Sequence, residues 1–304
     1  MRAMVPDGRG SVRLDQVPEP DPAADEALIS VTAYSVNRGE TFQLEDPPAA
    51  WRPGKDIAGV VTRAAANGSG PPAGQRVVGH PPSGGWAERV AVPSASLAAL
   101  PDEISDAAAA ALPLAGLTAL RLLRVTGSLA GQRVLLTGAS GGVGHYVTEL
   151  AAAQGAELTA VARSRDRGER LRALGAATVV SEVEKADGPF DVIFESVGGA
   201  SLPAAWRRLT TRGLLVWFGQ ASRIPPELNF FDWSGGASAT LRKFSYADSD
   251  TTDADDLATL VRLTGAGRLH PEIGQVSGWR QTAGVLRALL GRQVRGNAVL
   301  EVAA

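Results

Sequence analysis

The apolar positions of this chain change their rhythm partway along. Up to about residue 105 they come in short runs, at 27–32, 57–62, 76–78 and 87–92, with no long helical period. Pro53-Gly54, Asn67-Gly68 and Pro71-Pro72 separate the runs. Short β-type runs bounded by turn signals predict a small, mostly antiparallel β-domain. Residues 106–126 are rich in Ala and Leu at helical spacing, with breaks expected at Pro113 and Gly116. From 133 onward, apolar runs at 133–137, 157–162, 178–181, 191–195 and 213–218 alternate with helical stretches at 142–153, 165–174 and 200–210. Strands that are continuously apolar are covered on both faces, so this series predicts a doubly wound parallel sheet. Beyond 229 the pattern loosens into a strand at 240–246, a helix near 253–264, a helix at 282–290 and a strand at 298–302.

The first of the alternating strands runs into Gly138-Ala139-Ser140-Gly141-Gly142-Val143-Gly144, and an amphipathic stretch follows at once. Strand, glycine turn and helix start make a phosphate cradle. Glycines keep side chains out of the way, and the helix N-terminus offers free N–H groups and a positive dipole end. Ser140, Gly141, Gly142, Val143 and Gly144 are therefore candidate ligands of a dinucleotide. The second strand ends Val161-Ala162-Arg163-Ser164-Arg165, without the acidic residue that would hold both adenosine ribose hydroxyls and select NAD. Guanidinium groups match a 2′-phosphate, so the arginines favour NADP(H). Arg163 and Arg167 lead, with Ser164 between them. The other reading of these arginines is a solvated basic helix start.

Composition narrows the partners. The chain has 304 residues, 44% apolar residues and a formal net charge of −2, which favours neither nucleic acid nor an anionic membrane. No apolar run reaches the about 18 residues of a membrane helix, and residues 1–15 do not resemble a signal peptide, so a cytoplasmic protein is expected. With no cysteine, disulfides, thiolate zinc sites and a cysteine nucleophile are excluded.

Several segments together resemble a known family. They are Val36-Asn37-Arg38-Gly39-Glu40, Pro53-Gly54-Lys55-Asp56-Ile57-Ala58-Gly59, Gly84-Gly85-Trp86-Ala87-Glu88, Ala115-Gly116-Leu117-Thr118-Ala119, the glycine turn, Leu174-Gly175-Ala176, Glu195-Ser196-Val197-Gly198-Gly199, Val216-Trp217-Phe218-Gly219, and Arg292 to Leu300. In this order, over almost the whole chain, they resemble the zinc-independent quinone oxidoreductase branch of the medium-chain dehydrogenase/reductase superfamily. The resemblance implies a mostly antiparallel, GroES-like catalytic domain from residues 1–105 and 275–304. It implies a Rossmann NADP-binding domain from 106–274, an active site in the cleft, and a homodimer joined through the edge strand near Thr240–Tyr246.

Zinc-dependent relatives hold their metal with Cys, His with an adjacent Glu, and a later Cys or Asp. Here Asn37 stands in the region of the first, Lys55-Asp56 replaces the pair, and Leu112-Pro113-Leu114 falls in the region of the last. An ammonium and apolar groups do not make a zinc ligand set. His80, His145 and His270 show no ligand spacing and read as surface or packing residues. Without a Lewis acid an alkoxide lacks stabilisation, so an electron-poor acceptor such as a quinone or an enone is expected.

The resemblance also marks single positions. Asn37 matches a position that contacts cofactor and substrate, against a local turn role. Glu40 either orients Asn37 or Arg38 or is exposed. Lys55 either donates to a substrate carbonyl or pairs with Asp56 or Glu40. Thr118, Ser196, Val197, Phe218 and Gly219 match positions near the cofactor, and Arg292 one that reaches it. Tyr34 reads as a core residue or a proton donor. Trp51, Trp206, Trp217 and Phe230-Phe231-Asp232-Trp233 are candidates for a substrate pocket or a dimer contact. The compressed segment 45–51 and the missing tyrosine after the third strand bear on the substrate, not the cofactor. Three functions follow: an NADPH-dependent reductase of quinones or α,β-unsaturated carbonyls, an enoyl or tailoring reductase of secondary metabolism, and a non-catalytic NADPH-binding structural or regulatory protein.

Overall fold

A computed structural model describes residues 1–232 and 234–302. The chain divides into two compact units, Met1–Leu117 with Asp250–Ala304, and Thr118–Ser249.

The first unit opens with a hairpin, β1 (Arg2–Pro6) and β2 (Val12–Gln16). Its main sheet holds β3 (Glu26–Val36), β4 (Ile57–Arg63), β5 (Arg76–Gly79), β6 (Arg89–Pro93) and β7 (Leu97–Ala99). Two late strands, β14 (Ile273–Gly278) and β15 (Asn297–Glu301), complete it. The order is β14-β15-β3-β4-β5-β7, with β6 also on β3, and every pairing but β14 with β15 is antiparallel. Strand β3 alternates half-buried and buried residues over its first half and is buried throughout its last four. There Tyr34 stacks on Trp86 with ring centroids 5.6 Å apart. Its hydroxyl lies 2.6 Å from the Thr282 hydroxyl, and burial pushes its pKa up, so Tyr34 is a core residue and a poor proton donor.

Four helices belong here: α1 (Arg38–Gln43), α2 (Asp106–Ala110), and, from the second passage of the chain, α7 (Asp253–Gly265) and α8 (Thr282–Leu290). Helix α2 packs on β3 and β4, and α7 on β7. Both lie with the first unit, whereas the family resemblance implies a nucleotide domain over 106–274. The helical stretch 106–126 is broken ahead of Pro113, which starts a second helix, α3 (Pro113–Thr126), where its missing N–H costs nothing. Gly116 lies inside α3, and a Cβ there would come within 2.8 Å of Leu260 on α7, so this glycine permits close packing rather than a break.

The second unit is a six-stranded sheet of β8 (Arg133–Leu136), β9 (Glu157–Val161), β10 (Thr178–Val180), β11 (Phe190–Glu195), β12 (Leu209–Trp217) and β13 (Thr240–Lys243). All pairings are parallel, in the order β10-β9-β8-β11-β12-β13. Helices α4 (Gly142–Ala153), α5 (Arg165–Ala173) and α6 (Ser201–Trp206) connect the strands. The order reverses between β8 and β11, and ligands of doubly wound sheets bind at the carboxyl ends of the strands flanking that reversal. Strand β12 starts four residues before its apolar run. Thr210, Thr211 and Arg212 look polar, but Leu209 already pairs with Phe190, and a bulge with Arg212 at φ 61° follows. Edge strand β13 is exposed along its length. No helix among the described residues is long and apolar enough to cross a membrane.

Candidate functional site

The glycine turn lies where the strand pattern puts it, between the end of β8 and α4. Gly141 caps α4 in extended backbone, so the first-turn N–H groups point outward from Gly142 onward. Gly144 is packed so closely that a Cβ would lie 2.3 Å from the Ala139 carbonyl oxygen. That contact seats the helix on the strand and leaves the turn accessible to a phosphate. Ser140 is brought to Arg167, whose guanidinium donates to its hydroxyl over 3.4 Å. The arginine after the second strand is thus drawn toward the phosphate turn. Arg163 is exposed just past the end of β9, and Ser164 caps α5 without a side-chain bond.

The turns after β11 and β12 lie side by side. The Phe218 N–H donates to the Glu195 carbonyl, and those of Ala221 and Ser222 donate to the carbonyls of Ser196 and Val197. A Cβ on Gly219 would lie 3.1 Å from the Ser196 carbonyl oxygen. The Trp217 indole donates to the Gly219 carbonyl at 2.6 Å. Ser196, Val197, Phe218 and Gly219 therefore form one surface at the carboxyl ends of β11 and β12. Thr118 is buried in α3.

In the first unit Asn37 is held by Asp56, the neighbour of Lys55 in the chain. The Asp56 carboxylate is fully buried. One oxygen accepts from the Ser35 hydroxyl at 2.7 Å and the Asn37 amide at 2.6 Å. The other accepts from the Leu114 N–H at 2.9 Å and lies 3.3 Å from Nδ1 of His80. His80 is a packing residue with this added contact. Because an ionised carboxylate only accepts, the Asn37 side chain must turn its NH2 group toward Asp56. Asn37 also caps α1. Three residues on, Glu40 reaches back to the Asn37 N–H at 2.9 Å and takes the Gly54 N–H at 2.9 Å. Glu40 thus orients Asn37 and is not exposed. Lys55 follows Gly54 and is close enough for its charge to favour the ionised form of Glu40.

Arg38, absent from the candidate residues, is half-buried and donates to the Leu289 carbonyl at 3.0 Å. Burial, and then the charge of Arg292, lower its pKa, so the two guanidiniums lie near one another where α1 meets the end of α8. Arg292 itself is exposed at φ 58°. The aromatic candidates separate. Trp51 packs on the core of the first unit, and in the second Trp206 and Trp217 pack on the core around Phe190 and Leu215. Phe230 and Phe231 are 79% and 76% exposed, and Trp233 lies outside the described residues. A shallow cavity of about 240 Å³ is lined by Trp206, Arg207 and Leu228 among others, and does not include Phe230 or Phe231.

The family comparisons agree with this geometry. Residues 23–102 match the alcohol dehydrogenase GroES-like domain and residues 142–263 the zinc-binding dehydrogenase family. The chain is 35% identical over 284 residues to 2-methylene-furan-3-one reductase of Solanum lycopersicum, covering 83% of this chain and 73% of that protein. It is 34% identical to a chloroplast envelope quinone oxidoreductase homolog of Arabidopsis thaliana, covering 57% of this chain and 58% of the relative. The fold superposes on Escherichia coli quinone oxidoreductase complexed with NADPH with a TM-score of 0.88, at 24% identity and 99% coverage of both chains. The chain belongs to the quinone oxidoreductase branch of the medium-chain dehydrogenase/reductase superfamily. It is an oxidoreductase.

One outcome can be read from the acid pair. Burial first, and the charge of Asp56 second, push the Glu40 carboxyl up to about 8 from its ordinary 4.5. Between those values the folded chain holds a proton that the unfolded chain has lost, so stability falls as pH rises across that window. Glu40→Gln removes this slope. It also sets a second N–H donor against one of two backbone N–H groups, at a cost of about 1–3 kcal/mol. Urea unfolding at pH 5, 6.5 and 8 measures both effects. A pH slope unchanged in the variant would remove Glu40 as its source.

Proposed function

We propose that the chain is an NADPH-dependent reductase that delivers hydride to an electron-poor acceptor, a quinone or an α,β-unsaturated carbonyl, without zinc. The observation that carries this reading is the phosphate turn at the sheet reversal with Arg167 bonded to Ser140. Ser140 and Gly141 to Gly144 would hold the pyrophosphate, and Arg163, Ser164 and Arg167 the 2′-phosphate. Ser196, Val197, Phe218 and Gly219 would carry the nicotinamide half, with Asn37, Thr118 and Arg292 as further contacts. When bound, NADPH supplies the hydride.

The donor set argues against a metal in the former ligand positions. Asn37 spends its NH2 group on Asp56, and both Asp56 oxygens already accept from protein donors. Among the described residues no group of three or more His, Cys, Asp or Glu is placed to share an ion. The acceptor must therefore stabilise its own negative charge, as a quinone or an enone does. Hydride adds to the enone β-carbon or to the quinone, and the anion left on oxygen takes a proton. In this scheme Asn37 positions the reactants and the Lys55 ammonium faces that developing charge. The relatives include a furanone reductase, an acryloyl-coenzyme A reductase of Sulfurisphaera tokodaii and a mycobacterial mycocerosic acid synthase-like polyketide synthase. These names keep an acyl-thioester acceptor as a second reading, with the Arg38–Arg292 pair as a site of positive charge.

NADPH oxidation should be seen with a panel of quinones, enones and acyl-thioesters, with NADH much poorer. Arg163→Ala with Arg167→Ala should narrow the preference for NADPH by about 1–3 kcal/mol, the value of charge-assisted bonds. An unchanged ratio would place the 2′-phosphate elsewhere, and no turnover on any acceptor would defeat the activity.

We also propose a homodimer through β13. An exposed edge strand is a template for pairing, and Leu241, Phe230 and Phe231 are exposed on it and just before it. Leu241→Lys should shift the mass measured by light scattering from dimer to monomer. A wild-type monomer at micromolar concentration would overturn the assignment.

A further inference from the structure

Strands β8 and β11 are neighbours at the sheet reversal, and Leu136 pairs with Phe194. One residue further along each strand, Thr137 and Glu195 meet. Thr137 is the last residue before the glycine turn, and Glu195 the last before Ser196-Val197. Both are fully or almost fully buried. The Thr137 hydroxyl donates to Glu195 Oε1 over 3.2 Å and accepts from the Ser196 N–H at 3.0 Å. In return the Ser196 hydroxyl donates to the Thr137 carbonyl at 3.2 Å. The Glu195 carboxylate also takes the N–H of Val197 at 2.9 Å and that of Gly198 at 3.0 Å, and a bond from the Ser201 hydroxyl. The backbone follows the same contact. Gly138 has φ +61°, and a Cβ on it would lie 2.4 Å from the Ser196 hydroxyl.

We propose that Thr137 and Glu195 are positioning residues that lock the phosphate turn to the turn carrying Ser196 and Val197, so that the two halves of one dinucleotide are set by a single buried hydroxyl and carboxylate. The inference rests on the NADPH reading above. Neither residue reaches the cofactor. Each acts through backbone that does. The hydroxyl is both donor and acceptor at a site closed to water, and no apolar replacement of equal size supplies either bond. Bonds to the Glu195 carboxylate from Thr137, from Val197 and Gly198, and from Ser201 fix Val197 and Gly198 in one conformation, which is what a first contact shell requires of the groups behind it. The phosphate turn has its own support in the Gly144–Ala139 contact and the α4 cap. Loss of the lock should therefore loosen the nicotinamide side while leaving the phosphate side in place.

The test separates the two halves with two ligands. Adenosine 2′,5′-bisphosphate occupies only the adenosine side, while NADPH fluorescence on binding reports how firmly the nicotinamide is held. In Thr137→Val the fluorescence enhancement of bound NADPH should fall by at least about half and its Kd rise about tenfold. The Kd of the bisphosphate should stay within about twofold, because its contacts do not pass through Thr137. Thr137→Ser, which keeps both bonds, should behave as wild type. Glu195→Gln keeps the volume but sets an NH2 group against the Val197 or Gly198 N–H, and should move NADPH in the same direction by about threefold. It decides the question should Thr137→Val fail to fold. Equal weakening of both ligands, failure of Thr137→Ser to restore the signal, or wild-type NADPH binding in Thr137→Val and in Glu195→Gln would overturn the lock. A wild-type chain that binds neither ligand would instead defeat the cofactor reading, and the inference with it.

Discussion

The first unit depends on one saturated carboxylate. Burying an ionised Asp is costly unless its lone pairs are filled, and those of Asp56 are filled by the end of β3, the end of β5 and the start of α3. These segments meet at the one buried side chain. Asn37 then has a single amide orientation, and its position as the cap of α1 follows from the same bond. A residue in such an arrangement is pre-organised before any ligand arrives, which is where much of the rate of a positional catalyst originates.

The second unit uses backbone rather than charge to shape its turn. Parallel strands end together, so successive turns collect along one edge of the sheet, and the reversal between β8 and β11 opens a gap there. Glycine at 144 lets helix and strand meet at backbone distance. The helix dipole then acts on whatever occupies the turn. From the side, an arginine on α5 reaches back to Ser140.

Local features were legible in the sequence and distant ones were not. The glycine turn, the five strand runs and the missing acid after β9 are all contained in a few consecutive residues. The hairpin β1–β2, short α1 and β14 were missed because five or six residues carry too little periodicity to stand out. The Asp56 cluster joins residues 19 to 58 positions apart, and no local pattern announces it. His80 looked like any packing histidine, and Arg38 like any charged residue after a motif, until strand pairing placed one beside Asp56 and the other beside α8. Gly116 was misread for the opposite reason. A helix-weakening residue was judged on its propensity, whereas close approach of Leu260 decided its place.

Three buried carboxylates show how the supply of donors governs the chemistry available here. Glu195 takes backbone and hydroxyl donors from three segments, and burial still raises its pKa. Glu40 takes two backbone N–H groups only and sits beside the charge of Asp56, so it is pushed up to about 8 and holds its proton at neutral pH. The Asn37 amide donates to Asp56, while the Glu40 oxygens are taken up by backbone N–H groups. The two acids thus differ in their surroundings: Asp56 meets an amide, a hydroxyl and a backbone N–H, and Glu40 two backbone N–H groups.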